Sequence, residues 1–256
     1  MPNPWTYHSN SGTLGAMGAV AGFGMHPALP LQGLTVLAVE DSRYACEALR
    51  LMCQKAGARL RRAETLAVAR AHLRVYRPDV VIIDLGLPDG RGEALIADLA
   101  RSGQRPGAVL GTSGDPMGRS RALGAGADGF LDKPCASFAA FCATLRAHLP
   151  DAAALPGAAT LIDGMAQDAI SPDPLALQDD LAMAARNLAG DPDAATRRYV
   201  AGFLSGIADH AKDVALAKAA AMAGAADTDG GFQQLRDLVA DRLAAANAFL
   251  PRVGLG

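Results

Sequence analysis

Charge is missing from the first 33 residues of this 256-residue chain, which hold no Asp, Glu, Lys or Arg. With no sustained apolar period either, residues 1–32 are expected to be a flexible leader. Without a leading Lys or Arg they are not expected to be a secretory signal. Cysteine is scarce: Cys46, Cys53, Cys135 and Cys142 form no CxxC pair, and no histidine stands at metal-ligand spacing from them. That pattern excludes a zinc-ribbon or disulfide framework and points to reduced, buried thiols and a cytoplasmic location. Long apolar runs are also lacking. None approaches the roughly 20 residues a membrane helix needs, so no membrane partner is expected. Clustered cations are lacking in the second half. Residues 34–150 carry 16 Lys+Arg against 12 Asp+Glu, a net of +4, whereas 151–256 carry 8 against 14, a net of -6. A nucleic-acid partner needs a basic face to displace counterions, and none is expected there.

What is present begins with Val80-Val81-Ile82-Ile83-Asp84, four β-branched residues ending in a carboxylate. Such a run reads as a strand buried on both faces, with Asp84 at its carboxyl end. Leu34–Val39 is a second strand-like run, closed by Glu40-Asp41, with Ser42 as the N-cap of the next helix and Gly57 as its stop. Ala58–Ala63 is a weaker strand. Thr65–Tyr76 is a helix, 93–101 another, Ala108–Gly111 a strand and 119–123 a short helix. Gly129–Leu131 is a last short strand, and 137–148 is a helix. Five strands alternating with five helices predict a parallel sheet covered on both sides.

Residues 150–174 contain four prolines, at 150, 156, 172 and 174, and read as a linker. From 175 the pattern is helical: 175–189, then 194–223 with Val200, Phe203, Leu204, Ile207, Ala211, Val214 and Ala217 on one stripe, then 232–250. Three amphipathic helices must pack on one another or on a second copy. The stripes on an acidic surface predict an interaction or dimerisation module.

The strand ends carry the chemistry. In a parallel sheet Glu40, Asp41, Asp84 and Lys133 all lie on one edge, where ligands bind. Three carboxylates repel one another unless a cation sits among them, and an all-oxygen set favours a hard ion such as Mg²⁺. Thr112 and Ser113 put hydroxyls on the same edge.

Residues 34 to about 148 resemble the receiver domain of two-component response regulators. The resemblance rests on Glu40-Asp41, Asp84 in VVIIDLGLPDGRG, the hydroxyl in VLGTSGD, and GADGFLDKP. It implies a flavodoxin-like (βα)5 doubly wound fold over 33–149, beside an all-α C-terminal domain over 175–256. It also implies that Asp84 is the phosphoacceptor, attacking a phosphohistidine to become an acyl phosphate. Asp41 and Asp84 would ligate Mg²⁺ directly, Glu40 through water, and Gly86 through its backbone carbonyl. Lys133, before a cis Pro134, would reach a phosphoryl oxygen. Thr112 or Ser113 would be the switch hydroxyl, and Phe130 the switch aromatic. Gly86 would leave water access to the phosphoryl group open.

The chain is therefore expected to be a response regulator and not an enzyme on a separate substrate. Its donor is a sensor histidine kinase or a histidine phosphotransfer protein, and its helical domain is switched by phosphorylation. Two alternatives remain. One is a phosphorelay intermediate using His210, although the residues after it (Ala211, Lys212, Asp213, Val214) depart from the phosphotransfer pattern and favour a surface histidine. The other is a transcription regulator.

Overall fold

The computed structural model describes residues 29–149, 170–226 and 229–248. The core of the first module is a sheet of β1 (Thr35–Val39), β2 (Arg59–Ala63), β3 (Val80–Asp84), β6 (Ala108–Ser113) and β7 (Gly129–Asp132). Their order is β2-β1-β3-β6-β7, all parallel. The helices α1 (Arg43–Ala56), α2 (Leu66–Val75), α3 (Gly92–Arg101), α4 (Gly118–Gly124) and α5 (Phe138–Ala147) cover both faces. A two-residue ladder, β4 (Gly86–Leu87) with β5 (Gly90–Arg91), follows Asp84. This is the flavodoxin-like arrangement expected over 33–149.

The period of two in β3 explains its apolar run. Val80 and Ile82 join the core under α1 and α5, where Phe141 and Leu145 are fully buried. Val81 and Ile83 join the opposite core with Leu95, Ile96 and Phe130. Both faces are apolar because both are covered. The chain reverses direction of winding between β1 and β3, so a crevice opens beyond their carboxyl ends.

Local signals act as read. Ser42, Thr65 and Ser137 cap α1, α2 and α5 by accepting from Ala45 N, Val68 N and Ala140 N. Gly57 ends α1 in the left-handed region at φ 84°. The leader boundary needs correction. Residues 1–28 lie outside the described residues, but Leu31 is 1 % exposed and its N–H donates to Ala56 O at 2.8 Å. Leu31 completes the core against the end of α1, so order begins before residue 33. Of the expected linker only 170–174 is described.

The second module is a four-helix bundle: α6 (Pro174–Leu188), α7 (Ala194–Ala211), α8 (Val214–Ala226) and α9 (Asp229–Ala248). The single helix expected over 194–223 is two. Lys212 turns left-handed at φ 57°, and Asp213 starts α8 by accepting from Leu216 N at 3.0 Å. The break moves Val214 off the expected stripe, leaving it 80 % exposed. Val200, Phe203, Leu204 and Ile207 pack with Leu181, Leu188, Leu216, Leu235 and Val239 inside the bundle. Among the described residues, Val200, Phe203, Leu204, Ile207, Leu235 and Val239 of the stripes that suggested a dimer are thus buried within one chain.

Candidate functional site

The site grows from the ends of β1, β3 and β7. Glu40 follows β1 and is 1 % exposed, while Asp84 ends β3 at 9 %. Lys133 follows β7 and is anchored by backbone, its N–H donating to Ser113 O at 3.3 Å. Its Nζ stands 2.8 Å from Asp84 Oδ2 and 2.5 Å from Glu40 Oε2. One ammonium thus bridges two largely buried carboxylates. The Lys133–Pro134 peptide is cis.

Electrostatics follow from that burial. Desolvation pushes the Glu40 carboxyl well above its usual range, opposed by Lys133 and reinforced by Asp84 and Asp41. Burial also raises Asp41, opposed by the Tyr199 hydroxyl and reinforced by Asp84. Burial alone would lower Lys133, but Asp84 and Glu40 outweigh it and hold the ammonium charged. Three carboxylates therefore share one resident cation, which leaves the set short of positive charge. Their ligand oxygens lie within 4.8 Å of one another. An all-oxygen set this close fits a hard divalent ion. Gly86 flanks it: its N–H donates to Asp84 Oδ1 at 3.2 Å, and a Cβ added there would meet nothing within 4 Å.

Both candidate hydroxyls are nearby, in different settings. Thr112 pairs in register with Asp84, is 2 % exposed, and donates through Oγ1 to Leu131 O at 2.7 Å. Ser113 is half-buried, and its Oγ accepts from Asp115 N at 3.1 Å. Phe130 is buried behind them, with the Arg119 guanidinium 5.2 Å from its ring centroid.

Sequence reasoning missed the site's other wall, which comes from the helical bundle. Tyr199 on α7 donates its hydroxyl to Asp41 Oδ2 at 2.5 Å. Burial, then Asp41, drives its pKa far up, so the phenol stays a neutral donor. Asp180 on α6, 2 % exposed, accepts from Ser42 Oγ at 2.7 Å, Arg43 N at 2.9 Å and Tyr44 N at 2.9 Å. It caps α1 from across the module boundary. His210 is not the free surface histidine expected. It is half-buried, its Nδ1 lies 2.9 Å from Gly206 O, and it lines a cavity of about 10 Å³ with Glu40, Thr112 and Lys133. No pattern in α6 or α7 announces these contacts, because they depend on how the bundle docks.

The first module has recognisable relatives. The family described as "Response regulator receiver domain" matches residues 36–145. That stretch is a response regulator receiver domain. The KDP operon transcriptional regulatory protein KdpE of Escherichia coli K12 is 39 % identical over 99 residues, covering 39 % of this chain and 44 % of that protein. The transcriptional regulatory protein PhoP of the same strain is 34 % identical over 102 residues, covering 40 % and 46 %. The chain spans less than half the length of these curated relatives. Among solved structures, the chemotaxis response regulator CheY4 of Vibrio cholerae matches at 26 % identity and a TM-score of 0.41, covering 45 % of this chain and 98 % of that one. The signal receiver domain of a signal transduction histidine kinase from Syntrophus aciditrophicus matches at 28 % and 0.42, covering 46 % and 90 %. The family match spans the sheet and its acidic crevice, and the bundle lies beyond it. Both curated relatives are named as transcriptional regulators, so the expectation of no nucleic-acid partner draws no support from them. Among the described residues, no helix is long and apolar enough to cross a membrane.

Proposed function

We propose that the receiver domain accepts a phosphoryl group on Asp84 from the phosphohistidine of a sensor histidine kinase or histidine phosphotransfer protein. The observation that carries this reading is one ammonium, Lys133, bridging Asp84 and Glu40 with Asp41 alongside. A carboxylate oxygen of Asp84 attacks phosphorus as the donor's N–P bond breaks, and the imidazole leaves with the electron pair. Lys133, already charged, moves its contact from Asp84 to a phosphoryl oxygen. Asp41 and Asp84 would hold Mg²⁺, with Glu40 reaching it through water and Gly86 through its carbonyl. When bound, the ion neutralises charge on the phosphoryl oxygens. Thr112 is the better switch hydroxyl, because it is buried opposite Asp84 while Ser113 is engaged in its own turn. Its shift toward the phosphoryl group would release Leu131 O and let Phe130 repack, moving the face formed by α4, β7 and α5. The acyl phosphate is lost by hydrolysis, so the domain works on itself and turns over no separate substrate. The four free thiols support a cytoplasmic setting.

The test is Mg²⁺-dependent labelling by a small phosphodonor, comparing the natural sequence with Asp84→Asn. Labelling is expected only in the natural chain, and equal labelling of both would overturn the assignment. A relay through His210 has one observation in its favour, its place beside Lys133. The cavity there has no room for a phosphoryl group, so transfer from labelled Asp84 is expected to be the same in His210→Ala.

A further inference from the structure

The helical bundle is docked on the very edge of the sheet that a phosphodonor must reach. Asp180 and Tyr199 hold it, beside an exposed Arg43–Asp179 ion pair at 2.8 Å. Asp180 spends both carboxylate oxygens on the first turn of α1, beginning at the residue after Asp41. Tyr199 places its hydroxyl on Asp41 itself. Asp41 Oδ1 already accepts from Ser42 N at 3.1 Å, so both oxygens of this carboxylate carry donors. Arg62 adds to the hold on this segment from the other side, donating to the carbonyls of Glu40 and Asp41. A cleft of about 400 Å³, lined among others by Asp41, Arg43, Arg62, Asp180 and Tyr199, runs from solvent between the two modules to this point. Tyr199 stands where the cleft meets the acidic set.

We propose that Tyr199 is a plug for the ion site, and that the bundle is a lid whose docking opposes Mg²⁺ binding. This rests on the receiver reading of Glu40, Asp41 and Asp84. The physical reason is competition at one atom. Mg²⁺ bonds oxygen at about 2.0–2.1 Å in a strict octahedron, and the Tyr199 hydroxyl takes one lone pair of Asp41 Oδ2 and draws on the same negative charge that the ion would use. In the docked state Tyr199 supplies Asp41 with a neutral donor in place of a cation. This satisfies the carboxylate without completing the site. Linkage then runs both ways: whatever weakens the plug strengthens ion binding, and the ion loosens the lid by the same factor. Asp180 is a second latch, since its three acceptances survive only while α6 lies along the start of α1. The bundle on this reading gates charging of the receiver, in addition to being moved by it.

The experiment is calorimetric titration of Mg²⁺ into the full chain and into Tyr199→Phe, which keeps the ring packed near Phe203. Removal of a hydrogen bond to a carboxylate corresponds to about tenfold tighter binding in the variant. Asp180→Asn, altered at the second latch, is expected to shift affinity in the same direction and serves if the first variant folds poorly. A second readout is amide exchange in the natural chain: Mg²⁺ should accelerate it at Arg43 and Tyr44, whose N–H groups donate to Asp180. Equal affinity in the natural chain and the variants, or exchange at 43 and 44 that Mg²⁺ leaves unchanged, would overturn the lid while leaving the receiver reading intact. Failure of every protein to take up Mg²⁺ would overturn both.

Discussion

At the scale of single residues, Lys133 does the most for its size. Its side chain is 10 % exposed and Glu40's only 2 %, so removing the ammonium strands a buried carboxylate beside Asp84. Breaking such a pair from one side costs about 3–5 kcal/mol. Lys133→Met is therefore expected to lower thermal stability by several degrees. Added Mg²⁺ should restore more of that loss in the variant than it adds to the natural chain, as differential scanning calorimetry with and without the ion would show. Glu40, Asp41, Asp84 and Lys133 were all legible in the sequence, because each stands at the end of an apolar run and strand ends share an edge. Placing Thr112 opposite Asp84 required the register across β3 and β6, which spacing alone leaves open by one residue. Tyr199 and Asp180 were not legible at all, since 158 and 138 residues separate them from their partners Asp41 and Ser42.

At the scale of elements, the start of α3 lies close against the end of β3. A Cβ on Gly92 would run into the carbonyl oxygen of Asp84. Overpacking of this kind costs about 1–3 kcal/mol, and here it would also push Asp84 out of register. Gly92→Ala is expected to lose both stability and labelling, read by chemical denaturation beside the phosphodonor assay. In the bundle the informative element is the break between α7 and α8. Asp213 caps α8 and pairs with Arg242 at 2.6 Å. Asp213→Ala should cost about 1 kcal/mol for the lost cap. The Arg242 hydrogen bond comes first among the causes that hold the Asp213 pKa below its ordinary value. A depressed folded-state pKa contributes stability above the unfolded value of about 3.9. That contribution disappears as pH falls through the folded value. Acid should therefore narrow the difference between Asp213→Ala and the natural chain, which melting curves at pH 7 and pH 3 would show. The break was hidden because Ala-rich sequence keeps helical period through Lys212. What ends α7 is a left-handed residue and a cap, and neither interrupts the apolar count strongly.

At the scale of the whole molecule, the two modules differ in what holds them together. Each has its own apolar core, while the boundary between them includes carboxylate caps, a phenol and small clefts. The thiols report on the receiver core alone. Cys46, Cys53 and Cys142 are buried, and burial pushes their pKa to about 12, about 12 and about 11. Cys135 is only half-buried. At pH 8 one thiol is expected to react with a disulfide reagent well before the other three, whose rate should follow global unfolding. Prompt reaction of all four would contradict this core. The parallel sheet, the edge on which its carboxylates gather and the helical character of the second module were set by local pattern, because β-branched runs, caps and periodicity act over a few residues. The docking of that module on the acidic crevice was decided only in three dimensions. A hydrogen bond from Tyr199 to Asp41 depends on the relative pose of two cores, and no periodicity along the chain encodes that pose.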